Sequence, residues 1–223
     1  MINLLQIDST HTAAAATSGI TLFDLLKLGG WVMIPLMLLL VITIFVFFER
    51  LIAIRKASNL DSNFMNIIRD HIISGNVTAA RSFAKNTNNP VARIIDKGIQ
   101  RIGKPIENIE RSMENVGKLE IYNLERNLSI LSLSAGVSPL LGFLGTIIGM
   151  FQLFYSLATG GDFTIQTMAN GIYTKVITSA TGLIIGLLAY IAHSYLTTQV
   201  DKTAYKMEAS SAEFLDVLQE PTR

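Results

Sequence analysis

Residues 127–161 read NLSILSLSAGVSPLLGFLGTIIGMFQLFYSLATGG and carry no charged side chain between Arg126 and Asp162. A second uncharged stretch, VITSATGLIIGLLAYIAHSYLTTQV at 176–200, lies between Lys175 and Asp201. Each is longer than the roughly 20 apolar residues with which a helix crosses about 30 Å of hydrocarbon. Both are also rich in Gly, Ser and Thr, whose hydroxyls gain nothing from lipid tails. Such residues mark helices that pack closely on other helices or line a polar path. The chain is therefore expected to be a membrane protein whose interior matters more than its lipid-facing surface.

The composition agrees. Half of the 223 residues are hydrophobic and 16% are charged, with a mean hydropathy of +0.43, a low charge content for a soluble domain. The net charge of +1 is uninformative because the charges are segregated along the chain. The absence of cysteine leaves no disulfide framework, thiolate metal site or Cys nucleophile. His11, His71 and His193 are too scattered to suggest a metal site. No catalytic group, metal or cofactor is expected, and the chain does not read as an enzyme. Residues 1–19 lack the basic start and apolar run of a secretory signal.

A third apolar stretch, LGGWVMIPLMLLLVITIFVFF, separates Lys27 from Glu49. It is richer in Leu, Ile, Val and Phe than the other two and is expected to face lipid. Trp31 suits the headgroup level at one end, and Pro35 near that end costs little. Just before it, Thr21-Leu22-Phe23-Asp24 has the form of a capping box opening a short amphipathic helix along the membrane surface. Lys and Arg residues set the orientation. Residues 50–126 carry 13 of them, residues 1–28 only Lys27, and residues 159–170 none. Three spans satisfy that bias with the N-terminus outside and the C-terminus inside. The expected layout is an outer segment at 1–28, spans at 29–48, 127–158 and 171–198, an inner helical region at 49–126, an outer hairpin at 159–170 and an inner C-terminal helix or tail at 199–223. The fold class is all-α: three transmembrane helices with a cytoplasmic helical bundle, the second and third extending beyond the bilayer.

Helical spacing also runs through the inner region. Phe64, Ile67, Ile68, His71 and Ile72 precede a break at Gly75-Asn76, and helices are expected over about 77–86 and 91–102. From Ile106, the positions Ile109, Met113, Val116, Leu119, Tyr122 and Leu124 continue a helical pattern. No Gly or Pro interrupts residues 118–135, so this helix is expected to run unbroken into the second span.

Within the second span, Gly145 and Gly149 form a GxxxG pair, accompanied by Pro139, Gly142 and Thr146. Pro139 frees the carbonyl of Ala135, which a neighbouring helix or water must meet. In the third span, Gly171, Thr174, Thr178, Thr181 and Ile185 share one helix face, and Lys175, Ser179, Gly182, Gly186, Ala189 and His193 the adjacent one. Packing accounts for Pro139, Gly142, Gly145, Gly149, Gly182 and Gly186. A polar path would use Thr146, Thr174, Lys175, Thr178, Ser179 and Thr181. Singly, each hydroxyl is equally at home bonding back to its own helix. Lys175 fits either a functional intramembrane charge or a side chain snorkelling to the interface, and His193 falls near the inner surface. No Asp or Glu lies within the three spans. If the protein conducts protons, the titrating carboxylate must come from a partner.

SPLLGFLGTIIGMFQLF at 138–154, GIYTKVITSATGLIIGLLAYIAHSYL at 171–196 and the GGWVMIPL…FFERL segment at 29–51 resemble the proton-channel family that includes ExbB, TolQ and the flagellar stator subunit MotA. The resemblance covers about residues 20–215, and three spans favour the ExbB or TolQ type. It implies a pentamer in the bacterial inner membrane, with the outer segments periplasmic and the second and third helices lining a central pore. The pore would hold an ExbD-like single-span partner whose one aspartate takes the proton. Carried onto matching positions, Thr146, and Ser179 where many members have Thr, would face that aspartate. Many members have Glu where this chain has Thr174, and a small residue where it has Lys175, so a Glu-dependent part of the pathway does not carry over. The implied function is an ExbB-like, proton-driven motor subunit energising a TonB-like protein for outer-membrane import. A TolQ-like or other envelope motor, or a passive membrane scaffold, are the alternatives.

Overall fold

The computed structural model describes residues 30–160 and 164–219. All regular structure among them is helical, in seven helices: α1 (Met33–Ser58), α2 (Phe64–Ile73), α3 (Val77–Asn86), α4 (Pro90–Ile99), α5 (Ile106–Glu125), α6 (Leu128–Ala158) and α7 (Ile165–Gln219). Three stretches, Met33–Ser58, Ile106–Ala158 and Lys175–Gln219, are long and apolar enough to cross a membrane. The chain is an all-α membrane protein. α7 alone has 55 residues, or about 80 Å at 1.5 Å per residue, against roughly 30 Å of hydrocarbon. Its second half therefore leaves the bilayer and runs through the bundle formed by α2 to α5. The amphipathic helix expected after Thr21 lies outside the described residues.

Pro35 occupies the first turn of α1, where the missing N–H deprives no helical carbonyl of a donor. Leu38, Val41, Phe45, Phe48 and Ile52 form an exposed stripe on one side of the helix, suited to lipid. The opposite side packs into two apolar clusters. One joins Met33 and Leu36 to Ile185, with Leu40, Leu141 and Ile177 against it. The other joins Val46 and Ile54 to Leu124, Leu128, Leu131, Leu196 and Val200.

A third cluster forms the bundle core, with Phe64, Ile68, Ile94, Ile95, Met113, Met207 and Phe214 among its members. Local chemistry places its short helices. Asn76 caps α3 by accepting from the Ala79 amide at 3.1 Å. Asn89 caps α4 with Pro90 following it, while its amide donates to the Ala57 and Asn59 carbonyls. That one buried side chain thereby ties the end of α1 to the start of α4. Gly98 leaves room for the Phe214 ring, which an added Cβ would meet at 2.6 Å. Arg93 and Glu120 link α4 to α5 through two hydrogen bonds of 2.7 and 2.6 Å, and the carboxylate holds the guanidinium above its ordinary value.

The unbroken helix expected from Ile106 into the second span is not what forms. α5 ends at Glu125, Arg126 takes ψ 135°, and Asn127 has φ 66°, the only left-handed non-glycine residue among those described. Asn tolerates that region better than most residues. In a continuous helix the Asn123 carbonyl would accept from the residue 127 amide; here the Arg50 guanidinium donates to it at 3.3 Å. Glu49 engages Arg50 on one oxygen and accepts from the Asn127 side-chain amide at 3.4 Å on the other. The break is thus stabilised by a pair of charges at the end of α1, some 75 residues earlier in the chain, which local periodicity does not reveal. Along α5, Ile109, Met113 and Leu124 are buried as the pattern suggests, but Leu119 and Tyr122 stand exposed.

Candidate functional site

α6 and α7 lie antiparallel, and their small residues define the line of contact. An added Cβ at Gly182 would come within 2.5 Å of the Ser138 carbonyl and 2.8 Å of the Gly142 Cα. One at Gly142 would meet the Thr178 and Ser179 carbonyls at 3.0 and 3.1 Å. These are backbone atoms and cannot swing aside. Gly145 receives the Thr178 side chain. Gly186 lies against Pro139, and its added Cβ would sit 3.1 Å from the carbonyl of Ala135, the acceptor that the proline leaves without its helical donor. The freed carbonyl therefore faces the Cα–H of a neighbouring helix, a weak but recurrent kind of contact.

The stem of Lys175 lies across Gly149, filling the space that an alanine would occupy. Its aliphatic carbons therefore cross onto α6. Thr146 sits one turn further along α6, half-buried, with its hydroxyl 3.2 Å from the Lys175 carbonyl and 3.3 Å from that of Gly142. It is the polar side chain that stitches the two helices together. Ser179 is half-buried on the matching turn of α7. Thr181 donates back to the Ile177 carbonyl at 2.9 Å. Thr178 is fully buried in the seam. Thr174 lies on α7, with its side chain outside the described ones.

Three further hydroxyls were not singled out by sequence. Thr43, Ser134 and Ser138 are buried and, like Thr178, have no hydrogen-bond partner. Leaving a hydroxyl in that state costs roughly 1–3 kcal/mol. Along both α1 and α6 they fall, in chain order, between residues of the two apolar clusters. The four-residue spacing of Ser134 and Ser138 was the available signal. It does not distinguish a buried pair from serines bonded back to their own helix.

Three long apolar helices, two joined by a glycine seam with hydroxyls and a lysine but no carboxylate at its centre, define a polytopic membrane protein with a polar interior. Residues 86–209, more than half of the chain, match the MotA/TolQ/ExbB proton channel family, and the chain belongs to that family. The match takes in α5, α6 and the seam. Among relatives, an ExbB homolog of biopolymer transport from Methanothermobacter thermautotrophicus is 29% identical over 72% of this chain and 57% of its own length. An ExbB-type biopolymer transport protein of Vibrio cholerae is 34% identical over 39% of each chain. The Tol-Pal system protein TolQ of Haemophilus influenzae is 32% identical over 43% of this chain and 42% of its own. The chain thus spans between 39% and 57% of the length of these relatives.

Proposed function

We propose that the chain is an ExbB-like subunit of a proton-driven motor in the inner membrane, assembled as a homo-pentamer around an ExbD-like single-span partner. α6 and α7 line the pore, the partner's intramembrane aspartate carries the proton, and the motor energises a TonB-like protein for outer-membrane import. The observation that supports this best is the seam itself. Thr146 and Ser179 place hydroxyls at mid-span where α6 meets α7, while the spans hold no Asp or Glu. Hydroxyls orient water and hold a carboxyl by hydrogen bonds, but they do not titrate near neutral pH. A TolQ-like envelope motor is the second reading, favoured by the similarity to TolQ.

Thr146→Val keeps the side-chain volume and Ser179→Ala trims only the hydroxyl, so both remove the hydroxyl without adding bulk to the seam. With the partner present, assembly should persist while proton flux falls about tenfold, the equivalent of one hydrogen bond of roughly 1.4 kcal/mol. Flux unchanged in both variants would reduce these hydroxyls to packing features.

The orientation places the N-terminus and the 159–170 region in the periplasm and the bundle in the cytoplasm. It rests on the 13 Lys and Arg residues between 50 and 126. Single cysteines at Ser18 and Asp162 should react with a membrane-impermeant thiol reagent in intact cells, and one at Asn88 only after lysis. Labelling of Asn88 in intact cells would overturn the arrangement.

A further inference from the structure

A groove of about 620 Å³ opens between the ends of α6 and α7 nearest the bundle, lined by Glu125, Ser129, Ser132, His193 and Thr197 over a floor that includes Leu128 and Val200. Its position follows the helix register. Thr146, Pro139 and Ser132 succeed one another at seven-residue steps along α6, as do Ser179, Gly186, His193 and Val200 in the opposite direction along α7, while Glu125 lines the groove from the end of α5, across the Arg126–Asn127 break. Two helical turns separate each step, so the groove lies on the same seam as Thr146 and Ser179, about 21 Å further along. The Pro139–Gly186 contact sits between them. No residue of α1 lines the groove. α1 packs through Val46 and Ile54 on Leu124, Leu128, Leu131, Leu196 and Val200, so that cluster shares Leu128 and Val200 with the groove floor.

Glu125 and His193 are the only titratable residues in the lining. The charged residues next along the chain, Arg126 and Asp201, are exposed. From α1, Arg50 reaches this junction with its guanidinium turned to Glu49 and the Asn123 carbonyl. The groove therefore combines room for water, three hydroxyls and two groups able to take and give up a proton.

Building on the channel reading above, we infer that this groove is the inner proton-release site of the subunit, with the His193 imidazole as acceptor and the Glu125 carboxylate passing the proton to bulk water. A proton arriving through water adds to an imidazole nitrogen and gives an imidazolium. It then leaves to the carboxylate or directly to solvent, restoring the neutral ring, and no other bond changes. Ser129, Ser132 and Thr197 order the water between them. Release requires a neutral acceptor, so at a fixed driving force flux should rise with inner pH.

The test is proton flux through the complex with its single-span partner, in proteoliposomes of known orientation, read with a pH-sensitive dye at several inner pH values. His193→Asn and Glu125→Gln should each assemble with the partner and lower flux about a hundredfold or more, the scale of a lost proton-transfer group. His193→Asn should also flatten the dependence on inner pH and leave that on outer pH intact. Should the Asn variant fail to assemble, His193→Gln tests the same loss. A double variant that conducts like the parent at every inner pH would overturn this inference alone. A parent complex that does not conduct would overturn the channel reading and this inference with it.

Discussion

Gly182→Leu separates α6 from α7 and the complex is lost. The reason is geometric. A Cβ at this position would sit 2.5 Å from the Ser138 carbonyl and 2.8 Å from the Gly142 Cα, both backbone atoms of a helix clamped along the seam. Relief requires moving one helix away from the other, which also opens the Thr146 hydroxyl's 3.2 Å contact with the Lys175 carbonyl and the Gly186–Pro139 contact. Overpacking of this kind costs about 3 kcal/mol or more, a large share of the stability of an ordinary domain. In detergent, the variant should show a strongly lowered melting temperature and should not co-purify as an oligomer. Gly136→Ala is the control. It lies on α6, the helix that Gly182 packs against, yet its added Cβ meets nothing within 4 Å. It should leave assembly unchanged. Equal behaviour of the two variants would mean that the seam does not hold the helices together.

The second large effect is expected in the partner. A proton crossing hydrocarbon needs a polar resting place, because an unpaired charge at mid-membrane costs at least about 2.5–3.5 kcal/mol. The chain offers hydroxyls at that depth, and between Lys27 and Glu49, Arg126 and Asp162, and Lys175 and Asp201 it offers no carboxylate. Replacing the intramembrane Asp of the ExbD-like partner with Asn keeps the shape and the hydrogen-bonding capacity but removes the titration. Assembly should survive and energy-dependent function should vanish.

What could be read in advance follows the physics of each feature. The three spans were legible because apolar length alone reports them. The Gly-rich seam was legible because small residues at helical spacing have few other uses in a membrane. Family motifs in the same stretches pointed to the family that residues 86–209 match. The break at Arg126–Asn127 was not legible: it depends on Arg50 reaching the Asn123 carbonyl from a distant helix, and α5 has unbroken helical periodicity on its near side. Nor did the pattern show that Lys175 lies across Gly149, since spacing assigns a residue to a face and not to a partner. Leu119 and Tyr122 fit the apolar period of α5 but remain exposed, because periodicity describes what a face offers and says nothing of what covers it. Ser134, Ser138 and Thr43 were missed for a similar reason, as a buried hydroxyl and a solvent-facing one look alike in sequence.

With no carboxylate in its spans, the channel is expected to borrow its titrating group from the partner. The most direct measurement is proton flux into liposomes containing the chain alone, the chain with its ExbD-like partner, and the chain with the partner's Asp→Asn variant, at matched protein density and under the same imposed pH gradient. Flux near the empty-liposome baseline is expected for the chain alone and for the Asn complex, and conduction only when the partner's aspartate is present. Robust flux through the chain alone would contradict it and would shift the titrating role to Lys175 or His193.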